Sequence, residues 1–195
     1  GGQKAGTDIL VVRRTSSQPT TGALTATKVY LQATGCKTEL EQHKDFVVDL
    51  GTNAGTFART KKGCATASDI YELETRIYYV SNETIPTLRL ITISGTSSTN
   101  EPLVEGIEDM RVEYGRDNVG SDGMADEFRK CLSTADPCAA ADWANMAAVR
   151  VHLLARNIAS GVGYTDTKTY TLGAGNVVGP FNDHLKRHAY TAVVR

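Results

Sequence analysis

The stretch from Asp117 to Glu127 (DNVGSDGMADE) gathers carboxylate and amide oxygens around Gly120 and Gly123. A hard cation such as calcium takes several oxygen ligands from a tightly turning loop with glycine at the sharp bend. Asp117, Asn118, Asp122 and Asp126 are therefore the candidate calcium ligands, and calcium is the one cofactor the sequence suggests. With Gly123 placed at the bend, the positions two and four residues before Asp122 are Gly120 and Asn118, so the regular alternation of acidic ligands is broken. The competing reading is a solvated acidic turn between a strand and a short helix.

Other catalytic chemistry finds little support. There is no Gly-x-Ser-x-Gly elbow, and Gly120-Ser121-Asp122-Gly123 has the wrong spacing to raise a serine at a strained turn. His184 and His188 are four residues apart, which on a helix would set two imidazoles on one face. No metalloprotease glutamate lies between them and Gly179-Pro180 gives no helix signal, so the segment reads as a polar loop leading into a C-terminal strand. Gly173-Ala174-Gly175-Asn176 lacks the Lys-Ser/Thr that follows a phosphate cradle. The expectation is a protein that is not an enzyme.

Cys36, Cys64, Cys131 and Cys138 form no Cys-x-x-Cys pair and have no histidine placed to complete a zinc site. Two disulfides are expected, in any of three connectivities, of which sequential pairing is the simplest. Disulfides would imply an oxidising compartment. Four reduced structural thiols in a cytosolic protein are the alternative.

These residues must be positioned mainly by strands. Thr, Val, Ile and Tyr cluster into short runs separated by Gly, Ser, Asn and Asp. Strands are predicted at Thr7 to Arg13, Lys28 to Leu31, Asp45 to Leu50, Ile70 to Val80, Leu88 to Ile93, Ile107 to Tyr114, Ala147 to Ala155, Lys168 to Leu172 and Ala189 to Val194. In Ala147 to Ala155, Val149, Val151 and Leu153 alternate with Arg150, His152 and Leu154, which predicts one packed face and one largely wet face. Short helices are predicted at Thr38 to Lys44, Ala125 to Leu132 and Ala139 to Asn145. Gly95 to Asn100 (GTSSTN) reads as a hairpin loop within one mainly antiparallel sheet, with a domain boundary there as the alternative.

With 195 residues, 21 Lys+Arg against 22 Asp+Glu and a net charge of -1, the chain fits one domain over residues 1–195 and lacks the basic surplus of a nucleic-acid binder. No apolar run approaches the roughly 20 residues that span a bilayer. The first residue is Gly1 rather than Met, so a leader or membrane anchor would lie upstream.

Several segments in order carry a resemblance: Gly6 to Arg14 (GTDILVVRR), Ile77 to Val80 (IYYV), Leu103 to Gly115 (LVEGIEDMRVEYG), the acidic glycine loop, Trp143, Val149 to Arg156 (VRVHLLAR) and Asn182 to Thr191 (NDHLKRHAYT). The chain resembles the PilW family of type IV pilus minor pilins over most of its length. The resemblance implies an α+β, mainly β head with antiparallel sheets and few short helices, of the pilin and pseudopilin type. It implies a periplasmic head carried on an N-terminal helix upstream of Gly1, held in the inner membrane through that helix before assembly and on the cell-surface pilus afterwards. Other minor pilins, the major pilin and a tip adhesin are the implied partners, in a tip complex that primes pilus assembly and supports adhesion and twitching. A J-type minor pseudopilin of type II secretion is the near alternative. A secreted carbohydrate-binding module is the alternative from another class, with Tyr71, Tyr78, Tyr79, Tyr164, Tyr170 and Trp143 as its stock of aromatic platforms.

Overall fold

Strand-forming runs dominate the chain, and the computed structural model, which describes residues 2–131 and 137–195, is mainly β with antiparallel pairing. The elements run β1 (Leu10–Thr15), β2 (Val29–Ala33), α1 (Lys37–Glu41), β3 (Phe46–Leu50), β4 (Ile70–Val80), β5 (Thr87–Ser94), β6 (Ser97–Glu105) and β7 (Ile107–Arg116). They continue with β8 (Glu127–Arg129), α2 (Ala140–Ala144), β9 (Met146–Arg156), β10 (Tyr170–Thr171), β11 (Val177–Val178) and β12 (Arg187–Val194). The chain forms two compact units: one of Val11–Ile77 and Leu90–Glu101, the other of the residues up to Leu10, Tyr78–Arg89 and those from Pro102 onward.

The larger sheet has the order β3-β2-β4-β5-β6, with β1 also on β4. In β2 the alternation Val-Tyr-Leu-Gln sends Tyr30 and Gln32 inward. Gln32 is buried without penalty because both ends of its amide are used: Nε2 donates to Ser68 O at 2.8 Å and Oε1 accepts from Arg59 N at 2.9 Å. Tyr30 meets Phe57 edge to face at 6.3 Å, and its hydroxyl accepts from Thr25 N at 3.0 Å. The β5-β6 connection is only Gly95-Thr96, so Ser97 to Asn100, expected in the loop, already belong to a strand. Gly95 has φ of +62, and a Cβ there would stand 1.7 Å from Thr27 O, so no side chain is tolerated at this turn.

The second sheet has the order β12-β9-β7-β8. Its inner face pairs Met110 with Leu153 and Val112 with Val151, and Val80, Ile107 and Met110 form the core with Leu10, Tyr78 and Leu88 against them. The opposite face of β9, expected to be wet, is covered: His152 is 6% exposed and Leu154 is fully buried. The turn around Gly173 crosses it, with Ala174 N donating to Glu113 Oε1 at 2.9 Å and Leu172 fully buried.

Two further expectations are corrected. The predicted helix from Ala125 contains instead β8, paired with the end of β7; its last residue, Leu132, lies outside the described residues. Gly115 has no side chain where Phe128 needs room, since a Cβ there would lie 2.8 Å from the Phe128 ring. That ring in turn carries the Arg150 guanidinium 3.5 Å above its centre. Of the predicted strand Lys168 to Leu172, only Tyr170–Thr171 pairs, with Val177–Val178.

Candidate functional site

The acidic loop leaves β7 and returns as β8, which sets its two ends side by side through Arg116↔Glu127. Its acidic side chains are directed at backbone N–H groups. Asp126 Oδ2 accepts from Asn118 N and Val119 N at 2.7 Å each, Asp117 Oδ2 from Gly123 N at 2.7 Å, and Asp122 Oδ1 from Met124 N at 2.8 Å. Asn118 Nδ2 donates to Glu127 Oε1 at 3.0 Å, and Arg116 bridges Glu127 and Asp142. Hydrogen bonding to Arg116 lowers the Glu127 pKa, and hydrogen bonding from Ala139 N does the same, first among several causes, for Asp142. Among the described residues no three His, Cys, Asp or Glu converge as a metal cage. Asp117, Asn118, Asp122 and Asp126 act here as the internal ties of a self-closed turn.

All four cysteines are paired, Cys36 with Cys64 and Cys131 with Cys138, each with Cα atoms 4.9 Å apart. The first bridge has a sequence separation of 28 residues and the second of 7.

A buried charge network centres on Arg187, at the start of β12, whose side chain is 1% exposed and whose partner Asp166 is fully buried. Nε donates to Glu108 Oε2 at 2.6 Å, Nη1 to Asp183 Oδ1 at 2.7 Å and Asp166 Oδ2 at 3.0 Å, and Nη2 to Asp183 Oδ2 at 2.7 Å. Glu108 reaches it because the β7-β9 register shifts between Ile107 and Asp109, a bulge that turns the extra residue inward. Tyr164 and Tyr170 donate their hydroxyls to Asp166 Oδ1, and the guanidinium lies 3.7 Å over Phe181. The electrostatics follow the contacts. Hydrogen bonds from Arg187 hold Asp183 down at about 2, while burial and the Asp166 charge push Tyr170 up to about 12. Burial alone would raise Asp166, but Arg187 and the two tyrosines outweigh it and its pKa is lowered.

Beside this network runs a second row, Thr191 Oγ1 to His152 Nδ1 and His152 Nε2 to Glu113 Oε2, both at 2.9 Å. The hydroxyl, imidazole, carboxylate order is that of a nucleophilic triad. A Cβ on Gly173 would lie 3.0 Å from both Glu113 and His152, so the backbone of that turn packs against the imidazole–carboxylate end of the row. The row is a cross-strand tie between β7, β9 and β12.

Two kinds of surface remain. β6 and β12 are outer strands of their sheets, with β3 and β8 at the other ends. All nine residues of β6 are exposed, including Leu103 and Val104, and β12 exposes Tyr190, Val193 and Val194. The other surface is a cleft of about 400 Å³ lined by Ile9, Tyr114 and Trp143 and by Gln3, Asp8 and Lys130. Trp143 on α2 meets Tyr114 edge to face at 5.0 Å and is still 49% exposed. Of the other aromatics in the expected stock, Tyr79 is 5% exposed, Tyr78 packs on the core, and Tyr164 and Tyr170 serve Asp166, while Tyr71 is half-buried and lines a separate pocket with Lys61 and Lys62.

Sequence reasoning singled out the acidic loop and the cysteines but missed Glu108, Asp166, Asp183 and Arg187. Their only local signal is Asp183 and Arg187 at a spacing of four. No helix among the described residues is long and apolar enough to cross a membrane. No curated protein and no solved structure matches the chain. Residues 77–195, which include the four-stranded sheet with its buried arginine, match the family model of type IV pilus-assembly protein W, and the chain belongs to this PilW family.

Proposed function

We propose that the chain is the head of a minor pilin that joins other minor pilins in a tip complex, primes type IV pilus assembly and helps display an adhesin. The observation that carries this reading is the family match over residues 77–195. Both disulfides support a life in an oxidising compartment, the periplasm before assembly and the cell surface after it. The contacts fall to the outer strands. An outer strand is a ready place for a neighbour to add its own strand, and Leu103, Val104, Tyr190, Val193 and Val194 put exposed apolar area there. A near-neutral surface, with a net charge of -1, sets no strong repulsion against like heads.

The test is deletion of the gene in a strain whose retraction motor is also disabled, with surface pili counted by electron microscopy. Loss of pili despite blocked retraction is the expected result, and a heterocomplex with another minor-pilin head should form in light scattering. Normal pili would remove the priming role and favour a J-type pseudopilin of a secretion system.

A further inference from the structure

The cleft at Trp143 is built differently from a surface awaiting an apolar plug. Its hydrophobic wall is the exposed indole of Trp143, braced by Tyr114, with Ile9 beside it, 44% exposed. The same cleft is also lined by a carboxylate, an amide and an ammonium group: Asp8, Gln3 and Lys130. Asp8 is fixed through Oδ2, which accepts from Val112 N at 2.9 Å, while Oδ1 stands 3.8 Å from the Arg111 guanidinium, beyond hydrogen-bonding range. Gln3 is fixed by donating from Nε2 to Thr7 O at 2.7 Å. Burial, with the Asp8 charge second, raises the pKa of Tyr114, placing the carboxylate within electrostatic reach of the aromatic wall.

We propose that this cleft binds a neutral saccharide, with one sugar ring stacked on Trp143 and its hydroxyls on Asp8, Gln3 and Lys130. A sugar has an apolar C–H face and a rim of hydroxyls that both donate and accept, which matches an exposed aromatic ring and polar side chains lining one cleft. An apolar side chain from a protein partner would strip water from Asp8 and Lys130 without replacing their hydrogen bonds, a cost that a sugar's hydroxyls avoid. Opposite charges among the polar groups favour a neutral ring over an acidic one. The volume, about 400 Å³, lies within the range of small-ligand pockets.

Trp143 is the sole tryptophan of the chain, so its fluorescence reports on this cleft alone. The head is screened on an array of immobilised neutral and acidic glycans, and every binder is then titrated against tryptophan emission. Neutral glycans should bind and change the emission saturably. Trp143→Ala should weaken binding by about tenfold, the scale of one aromatic contact, and Asp8→Asn by a similar factor. Trp143→Tyr should retain most of the binding, and an unchanged melting curve for each variant shows that the fold is intact. A blank array overturns the proposal. So do binders that leave the emission unchanged and are indifferent to Trp143→Ala, and so does emission that responds only to another minor-pilin head. In the retraction-disabled strain Trp143→Ala should leave pilus number normal, which separates failure of this proposal from failure of the assembly role.

Discussion

Replacing Arg187 by methionine should lower the unfolding free energy by about 3–5 kcal/mol at pH 7, the usual cost of removing one partner from a buried ion pair. The long apolar side chain fills much of the space but leaves Glu108, Asp166 and Asp183 facing one another without the cation that joins them. For a domain of this size the melting temperature should drop by on the order of 10 °C. The pH dependence identifies the cause. Asp183, held at about 2 in the folded protein, binds fewer protons there than in the unfolded chain. Its contribution is therefore complete above the ordinary carboxylate value of about 4 and is lost as pH falls toward 2. The gap between wild type and Arg187→Met in urea midpoints should be largest at neutral pH and narrow below pH 4. A gap that stays constant down to pH 2.5 would assign the loss to packing over Phe181 rather than to charge.

The second large effect is expected at the bridge from Cys36 to Cys64. A paired Cys36→Ser and Cys64→Ser variant should lose about 3–4 kcal/mol, from the entropy an open loop of this length regains when the chain unfolds. The shorter loop from Cys131 to Cys138 should be worth less, about 2–3 kcal/mol, in the corresponding variant. Cys36 is 2% exposed, so the hydroxyl placed there adds a desolvation cost in the same direction. The loop closed by the bridge carries Arg59, and Ser68 follows four residues after Cys64; their backbone groups satisfy the buried amide of Gln32. Hydrogen exchange at Arg59 N should therefore quicken along with the fall in urea midpoint. A bridge-free variant as stable as the parent would show that the interlocked amide alone holds this face.

What was legible in the sequence follows where burial differs between neighbouring residues. β4 spans the residues its pattern predicts, and β2, β3, β5, β7 and β9 fall within two residues of theirs, because apolar side chains there recur against a core. α1 and α2 were visible in short runs free of β-branched crowding. β6 was not, because a strand exposed on both faces carries no alternation; Ser-Ser-Thr-Asn-Glu-Pro looks like a loop to any rule that reads hydrophobic period. β8 was mistaken for a helix since Ala125 to Lys130 has reasonable helix propensity, and the reason it extends, the open space over Gly115, lies in another strand. The wet face assigned to β9 failed for a related reason. His152 is polar, yet Glu113 and Thr191, far from it in the chain, satisfy both of its nitrogens. Arg187 and Glu108 are separated by 79 positions, and only a bulge in β7 makes their meeting geometrically available.

The pairing of cysteines by neighbours has a consequence for biogenesis. If the chain is threaded N-terminus first into an oxidising compartment, as proposed above, Cys36 and Cys64 emerge before Cys131 and Cys138. An oxidant that joins thiols in order of arrival makes the native connectivity on its first pass. No bond has to be broken and exchanged, so a slow thiol-disulfide reshuffling step is avoided. On that route a dithiol oxidase alone would suffice, without a disulfide isomerase.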